Sequence, residues 1–311
     1  MWIVWLIAAL AGSWLLFILL PSLISFRGAF HRRKGPPRCP YVPGEEHYEE
    51  WEQAKRELEA LSWRRLKLRA RDGVELSADY LDLGQERTAV CMHGFQSSAM
   101  NNFALQGRFL AGQGFNLLFV TQRAHGESGG SSSGLGLAEA KDLLEWLRLI
   151  RKENGGDQVL VCGMSMGAAA AAYASEHMDR EQVKALFLDC PFRSPEAQIT
   201  RDCHTRHIPW LLMRGVVRAL FRSLFREKLS RTVDGSLRKN TIPVLFFHGE
   251  YDRTVPYEEG LQIYQSCASE KEFCCVPEAG HALAFPFGGN IAEKKLTDLI
   301  RRCFDSPDQN D

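Results

Sequence analysis

Residues 158–174 restrict this chain more than any other stretch. Gln158–Cys162 is short and apolar, the composition of a buried central strand. Gly163-Met164-Ser165-Met166-Gly167 follows, and Ala168–Ala174 is alanine throughout except for Tyr173, a strong helix former. A strand that turns into a helix this abruptly forces strained backbone angles and a close strand–helix approach, which explains the flanking glycines. The turn leaves Ser165 at a helix N-terminus, where free N–H groups and the positive end of the helix dipole converge. Ser165 is therefore a candidate nucleophile.

The spacing G-x-S-x-G does not select Ser165 by itself. Gly126-Glu127-Ser128-Gly129-Gly130 and Gly130-Ser131-Ser132-Ser133-Gly134 have it too. Only Ser165 has an apolar strand before it and a helix after it. The other two lie in a Gly/Ser cluster that reads as loop.

Strand and helix signals alternate through most of the rest. Leu66–Ala70 and Val74–Leu83 flank Asp72-Gly73 and read as a hairpin. Strands follow at Thr88–Met92, Asn116–Val120, Val183–Leu188, Pro243–Phe247 and Glu272–Val276, with helices at Asn102–Gly112, Leu135–Asn154 and Ile291–Phe304. Such alternation predicts an α/β fold: a mostly parallel sheet with helices on both faces and the site at its carboxyl edge. Arg193–Asn240 lacks strand character and reads as a small helical cap, whose apolar residues either pack the cap onto the core or line an acyl pocket.

The chain has 311 residues, 45% of them hydrophobic and 24% charged, room for one large packed domain plus small extras. Its 38 basic and 38 acidic residues balance, so no electrostatic case for nucleic acid arises. The nine cysteines show neither a disulfide framework nor zinc-site spacing, and Cys91, Cys162, Cys274 and Cys275 fall in expected strands, where thiols pack as small apolar groups. Trp2–Leu20 is almost continuously apolar, long enough for the roughly 20 residues a transmembrane helix needs. No Lys or Arg precedes it, unlike a signal peptide. Arg27, Arg32, Arg33, Lys34 and Arg38 follow it, which predicts a single-pass anchor with the rest of the chain on the cytoplasmic side. The expected organisation is an anchor at 1–26, a Pro/Gly linker and an amphipathic helix at 27–62, and one domain at 63–311 with its cap at about 193–240. The helix, with Tyr48, Trp51, Ala54, Leu58 and Leu61 on one face, should dock on that domain.

A serine needs a base beside it, and the base an acid. Of nine histidines, only His281 follows the last expected strand. His31 and His47 lie outside the domain, His93 and His125 precede the serine, and His177 should end the helix behind it. His204 and His207 lie in the cap, and His248 shares a segment with the acid. That acid is Asp252, just beyond the Pro243–Phe247 strand, with Asp189 and Glu250 in reserve. A tetrahedral intermediate also needs two backbone donors. Met166 N–H after the serine and Phe95 N–H in the His93-Gly94-Phe95 loop are the candidates, since Gly94 lets the chain turn an amide inward. No metal or organic cofactor is implied.

At these residues the chain resembles the α/β-hydrolases of the serine aminopeptidase-like type. It is especially similar to bacterial membrane-anchored hydrolases and their eukaryotic relatives in the ABHD group. The matching pieces are His93-Gly94-Phe95, Arg123-Ala124-His125-Gly126-Glu127-Ser128-Gly129, the Gly163–Gly167 turn, Asp189-Cys190-Pro191-Phe192, His248-Gly249-Glu250-Tyr251-Asp252 with Val255-Pro256, and Gly280-His281. They cover about residues 65–305. The one departure, Ala124 in place of a frequent glycine, should have only local effects. The resemblance implies the α/β-hydrolase fold and a Ser165–His281–Asp252 triad, with the His125 loop as scaffold. It leaves the substrate open among esters, thioesters, lipids and peptides. The favoured expectation is hydrolysis of a carboxylic ester or thioester, a small-molecule or lipid acyl substrate. A peptidase of the same fold and a silent membrane-bound binding protein are the alternatives.

Overall fold

The computed structural model describes residues 1–33, 35–154 and 158–305. They form two compact units: Met1–His31 with Ser194–Arg231, and Arg32–Arg193 with Thr232–Asp311.

The larger unit is built on one eight-stranded sheet of order β1-β2-β4-β3-β5-β6-β7-β8. β1 (Arg64–Arg69) and β2 (Glu75–Leu81) form the expected hairpin, with Leu66 opposite Ala78. β2 runs antiparallel to β4 (Phe115–Thr121). From there β3 (Arg87–Met92), β5 (Gln158–Met164), β6 (Val183–Asp189), β7 (Val244–Gly249) and β8 (Lys271–Val276) are all parallel. The inner strands are buried along nearly their whole length, so they read as continuous apolar runs. α3 (Tyr48–Glu59), α4 (Ala99–Gly112) and α11 (Ala284–Ile300) pack on the face that presents Cys91, Cys162, Phe187 and Phe247. α5 (Leu137–Asn154) and α6 (Met166–Ala174) lie on the other face, with α9 (Val233–Leu237) packed on α6 and α10 (Tyr257–Ser266) beside α9. α3 docks on the sheet unit through buried Trp51, Ala54 and Leu58, and the Trp51 indole N–H donates to Asn101 O at 3.2 Å. Leu61, expected on the same face, is exposed because the helix stops at Glu59.

The β5–α6 turn shows why its glycines are required. A Cβ on Gly167 would lie 1.8 Å from the Met92 carbonyl oxygen, and one on Gly163 would lie 2.5 Å from Ala168 Cα. Both neighbours are backbone and cannot swing away. Gly167→Ala should therefore cost about 3 kcal/mol or more and lower the melting temperature by roughly 6–12 °C. A circular-dichroism melt that does not move would mean the turn has room to relax.

All nine cysteines are free thiols. Cys91, Cys162 and Cys274 are buried as expected, but Cys275 is exposed. β8 is an edge strand, and its period-2 alternation turns Cys275 outward where Cys274 turns in.

In the smaller unit, α1 (Trp2–Trp14) passes through a π-helical stretch (Leu15–Leu19) into α2 (Leu20–Phe30), a run of 29 residues that extends past the expected end at 26. Among the described residues it is the one helix long and apolar enough to cross a bilayer. Its partner within the unit is α8 (Trp210–Phe225), which also packs on α7 (Pro195–Thr205), a helix capped by Ser194 Oγ accepting from Ala197 N–H at 3.1 Å. Phe30 and Phe221 meet with ring centroids 5.3 Å apart.

Candidate active site

Ser165 sits between the last residue of β5 and the first of α6, at φ 51° and ψ −109°. A non-glycine residue holds such angles only where its surroundings over-determine them, at a cost of order 1–3 kcal/mol. Its N–H donates to Asp189 O at 2.8 Å and its carbonyl accepts from Ala169 N–H at 2.9 Å, which fixes both sides of the turn. The loops after β7 and β8 bring in the other two candidates. His281 Nε2 lies 2.9 Å from Ser165 Oγ, and His281 Nδ1 lies 2.7 Å from Asp252 Oδ2. Asp252 Oδ1 accepts from Thr254 N–H and Val255 N–H, each at 2.8 Å. With the carboxylate on the Nδ1 side, Nδ1 carries the proton and Nε2 is left to accept from the serine hydroxyl. Burial works against the Asp252 charge, but the hydrogen bonds from His281 and from Val255 N–H outweigh it and hold the carboxyl below the usual range. Asp252 therefore stays ionised behind the imidazole.

The loop after β3 packs directly on this group: a Cβ on Gly94 would lie 3.6 Å from Ser165 Cβ. The N–H groups of Phe95 and Met166 find no acceptor among the described residues. They remain available to an oxygen brought to Ser165. Two buried histidines hold the loop in place. His93 Nδ1–H donates to Gly94 O at 2.7 Å while Nε2 accepts from Gln122 N–H at 3.2 Å. His125 Nδ1–H donates to Arg123 O at 2.9 Å while Nε2 accepts from Gln96 N–H at 2.9 Å. Asn102 Oδ1 takes Gly94 N–H at 2.8 Å.

Burial first, and then the neighbouring His125, push the His93 pKa down to about 3 from 6.5. Its folded pKa is depressed, so the stability it contributes is present above pH 6.5 and lost as pH falls toward 3. The loss is about 1.4 kcal/mol per pH unit. The melting temperature should therefore fall more steeply below pH 6.5 in the wild type than in His93→Gln. Parallel slopes would show that His93 titrates normally.

Comparison with known proteins agrees with this architecture. Residues 85–234 match the family model described as serine aminopeptidase, S33. YqkD of Bacillus subtilis is 26% identical over 232 residues, 70% of this chain and 72% of that protein. Human ABHD12B is 30% identical over 169 residues, 51% of this chain but only 43% of that longer protein. The structure of the Pyrococcus furiosus esterase Pf2001 superposes with a TM-score of 0.63 at 22% identity, covering 86% of this chain and 98% of that one.

The chain has the α/β-hydrolase fold and is similar to hydrolases of the ABHD type.

Several residues of this hydrolase stand differently from their expected places. Asp189, held in reserve as the acid, is fully buried, and neither carboxyl oxygen has a hydrogen-bond partner among the described residues. Burial, and then the Asp252 charge, push its pKa up to about 8, so it is neutral at pH 7 and cannot serve as the anionic partner of His281. Glu250 is exposed and turned to solvent. Ser128 is buried as a structural link, accepting from Ser77 N–H at 2.9 Å. Cys190 drew no attention in the sequence beyond a family motif, yet its Sγ lies 4.0 Å from His281 Nε2. Donor atoms of Cys190, Asp252 and His281 all fall within 4.8 Å of one another. The trio does not read as a metal site. His281 and Asp252 already engage one another and Ser165, and burial followed by the Asp189 charge raises the Cys190 thiol well above its ordinary range. The linker also proves to be part of the site's support. Arg38 N–H donates to Gln96 O at 2.7 Å, and Arg38 O accepts from Ser97 Oγ at 2.7 Å and Asn101 Nδ2 at 3.0 Å. Nothing in a Pro/Gly-rich composition announces those bonds.

Proposed function

We propose that this hydrolase cleaves carboxylic esters or thioesters through an acyl-enzyme on Ser165. The observation that carries the reading is the unbroken run from Asp252 through His281 to Ser165, with contacts of 2.7 and 2.9 Å. His281 Nε2 takes the hydroxyl proton as Ser165 Oγ bonds to the acyl carbon, and Asp252 stabilises the imidazolium. The carbonyl electron pair moves onto oxygen, which the N–H groups of Phe95 and Met166 receive; one such donor is worth about 3 kcal/mol in the transition state. The intermediate collapses, His281 returns its proton to the departing alcohol or thiol, and the acyl group stays on Ser165. Water then repeats the sequence and releases the acid.

An ester or thioester suits the site because its leaving group departs more readily than an amine, and the Pf2001 neighbour is itself named an esterase. The helix Trp2–Phe30 would anchor the enzyme, and the basic residues that follow it favour a cytoplasmic catalytic unit. A lipid acyl group delivered from the bilayer is the substrate class this location favours. The test is a panel of p-nitrophenyl esters, acyl thioesters, lysophospholipids and aminoacyl anilides presented to the full chain. The reading expects acyl esters or thioesters to exceed the anilides in kcat/KM by about 10²-fold or more. Anilides turned over faster would make it a peptidase, and no turnover of any class by folded protein would favour a binding protein.

A further inference from the structure

The unit of Met1–His31 and Ser194–Arg231 has a charge pattern of its own. Residues 194–231 hold eight Lys and Arg against three Asp and Glu, in a chain whose formal net charge is zero. On α8, Arg214, Arg218 and Arg222 recur every fourth residue and so form one stripe, with Arg226 at the helix's C-cap. Arg218 is paired with Glu196 at 2.5 Å. Arg214 and Arg222 are exposed and have no carboxylate partner among the described residues. The same helix buries Met213, Val217 and Phe221 but leaves Leu211 and Leu212 exposed by 68% and 59%. Exposed leucines beside uncommitted arginines on one helix are poorly served by water and well served by a bilayer interface.

The anchor fixes the depth. Its 29 residues span about 43 Å at 1.5 Å each, more than the roughly 30 Å of a hydrocarbon core. Part of the helix must therefore reach the headgroup layer. α8 packs along the second half of that helix, residues 15–30, with Phe221 against Phe30.

We propose that α8 docks into the interfacial layer of an anionic phospholipid leaflet, with Leu211 and Leu212 against acyl chains and Arg214 and Arg222 against phosphate and carboxylate headgroups. The proposal rests on reading Trp2–Phe30 as a membrane anchor. It makes α8 a second, charge-selective contact beside the anchor.

The full chain is placed in nanodiscs of phosphatidylcholine alone and of phosphatidylcholine mixed with phosphatidylserine, and amide exchange is followed on peptides covering 210–225. Exchange should slow by about tenfold in the anionic discs relative to the neutral ones. The double variant Arg214→Glu/Arg222→Glu should lose that difference while keeping the wild-type melting temperature and remaining in the discs. Equal exchange in both lipids overturns the proposal. So does protection independent of lipid charge in discs that hold two chains, which would mean that a second copy covers the helix. Failure of the chain to enter discs at all removes the anchor reading, and the proposal with it. Entry without a lipid-dependent difference removes the proposal alone.

Discussion

Ser165→Ala should lower kcat by about 10⁶ on the best ester substrate and leave the far-ultraviolet circular-dichroism spectrum unchanged. The side chain lost is one hydroxyl, and it is the atom on which the proposed chemistry turns. Without Oγ, His281 Nε2 has no oxygen at 2.9 Å from which to take a proton, and no acyl-enzyme forms. What survives is the catalysis that substrate binding and the two amide donors provide to a water molecule, about 10³–10⁴ over the uncatalysed reaction. The fold has no comparable stake in Oγ, since the turn is held by the main chain through Ser165 N–H on Asp189 O and Ala169 N–H on Ser165 O. The neighbouring candidates sharpen the expectation. Ser128 is engaged with backbone groups, and the Cys190 thiol is held protonated by burial. Neither should rescue the variant, so residual turnover near the wild-type rate would displace Ser165 from its role.

Asp252→Asn should cost about 10⁴ in kcat, while Asp189→Asn should stay within about tenfold of wild type. The two aspartates end up close enough for their charges to interact, yet their surroundings drive them apart. Asp252 has two backbone N–H groups and the His281 ring as donors. Its amide substitute would present an N–H to Nδ1 and favour the wrong imidazole tautomer. Asp189 has no partner on either oxygen among the described residues and a folded pKa of about 8, above the ordinary carboxyl value of 3.8. The folded state therefore holds a proton that the unfolded state has released. The stability Asp189 contributes is present below pH 3.8 and lost as pH rises through 8. Asparagine removes that dependence, so Asp189→Asn should be at least as stable as wild type above pH 8. An Asp189→Asn enzyme that loses activity as Asp252→Asn does would mean that the acid has been misassigned.

Much of this architecture is legible in the sequence because its signals are local. The elbow announces itself through Gly163, Gly167 and an alanine run, and the steric reason for both glycines lies within a few residues of them. That Asp252 and His281 come together beside Ser165 is legible through chain order: each follows a strand, and parallel strands put their carboxyl ends on one edge. What the sequence hid is long-range. The Arg38 backbone reaches the loop beside Phe95 from across a Pro/Gly linker, and no periodicity encodes that. Asp189 and Asp252 are both turn-like aspartates at strand ends, and only burial and hydrogen bonding separate them. α11 begins at Ala284 rather than at the expected Ile291. Pro286 falls in the first helical turn, where its missing N–H costs little. Gly289, at φ 45°, then marks the break between two helical pieces.

The central claim is that Ser165 is the one activated nucleophile, and fluorophosphonate labelling followed by peptide mass spectrometry tests it most directly. A single phosphonate adduct is expected, on the peptide that carries Ser165, absent in Ser165→Ala and slowed in Asp252→Asn. An adduct on any other residue, or none on a folded wild-type chain, would contradict it.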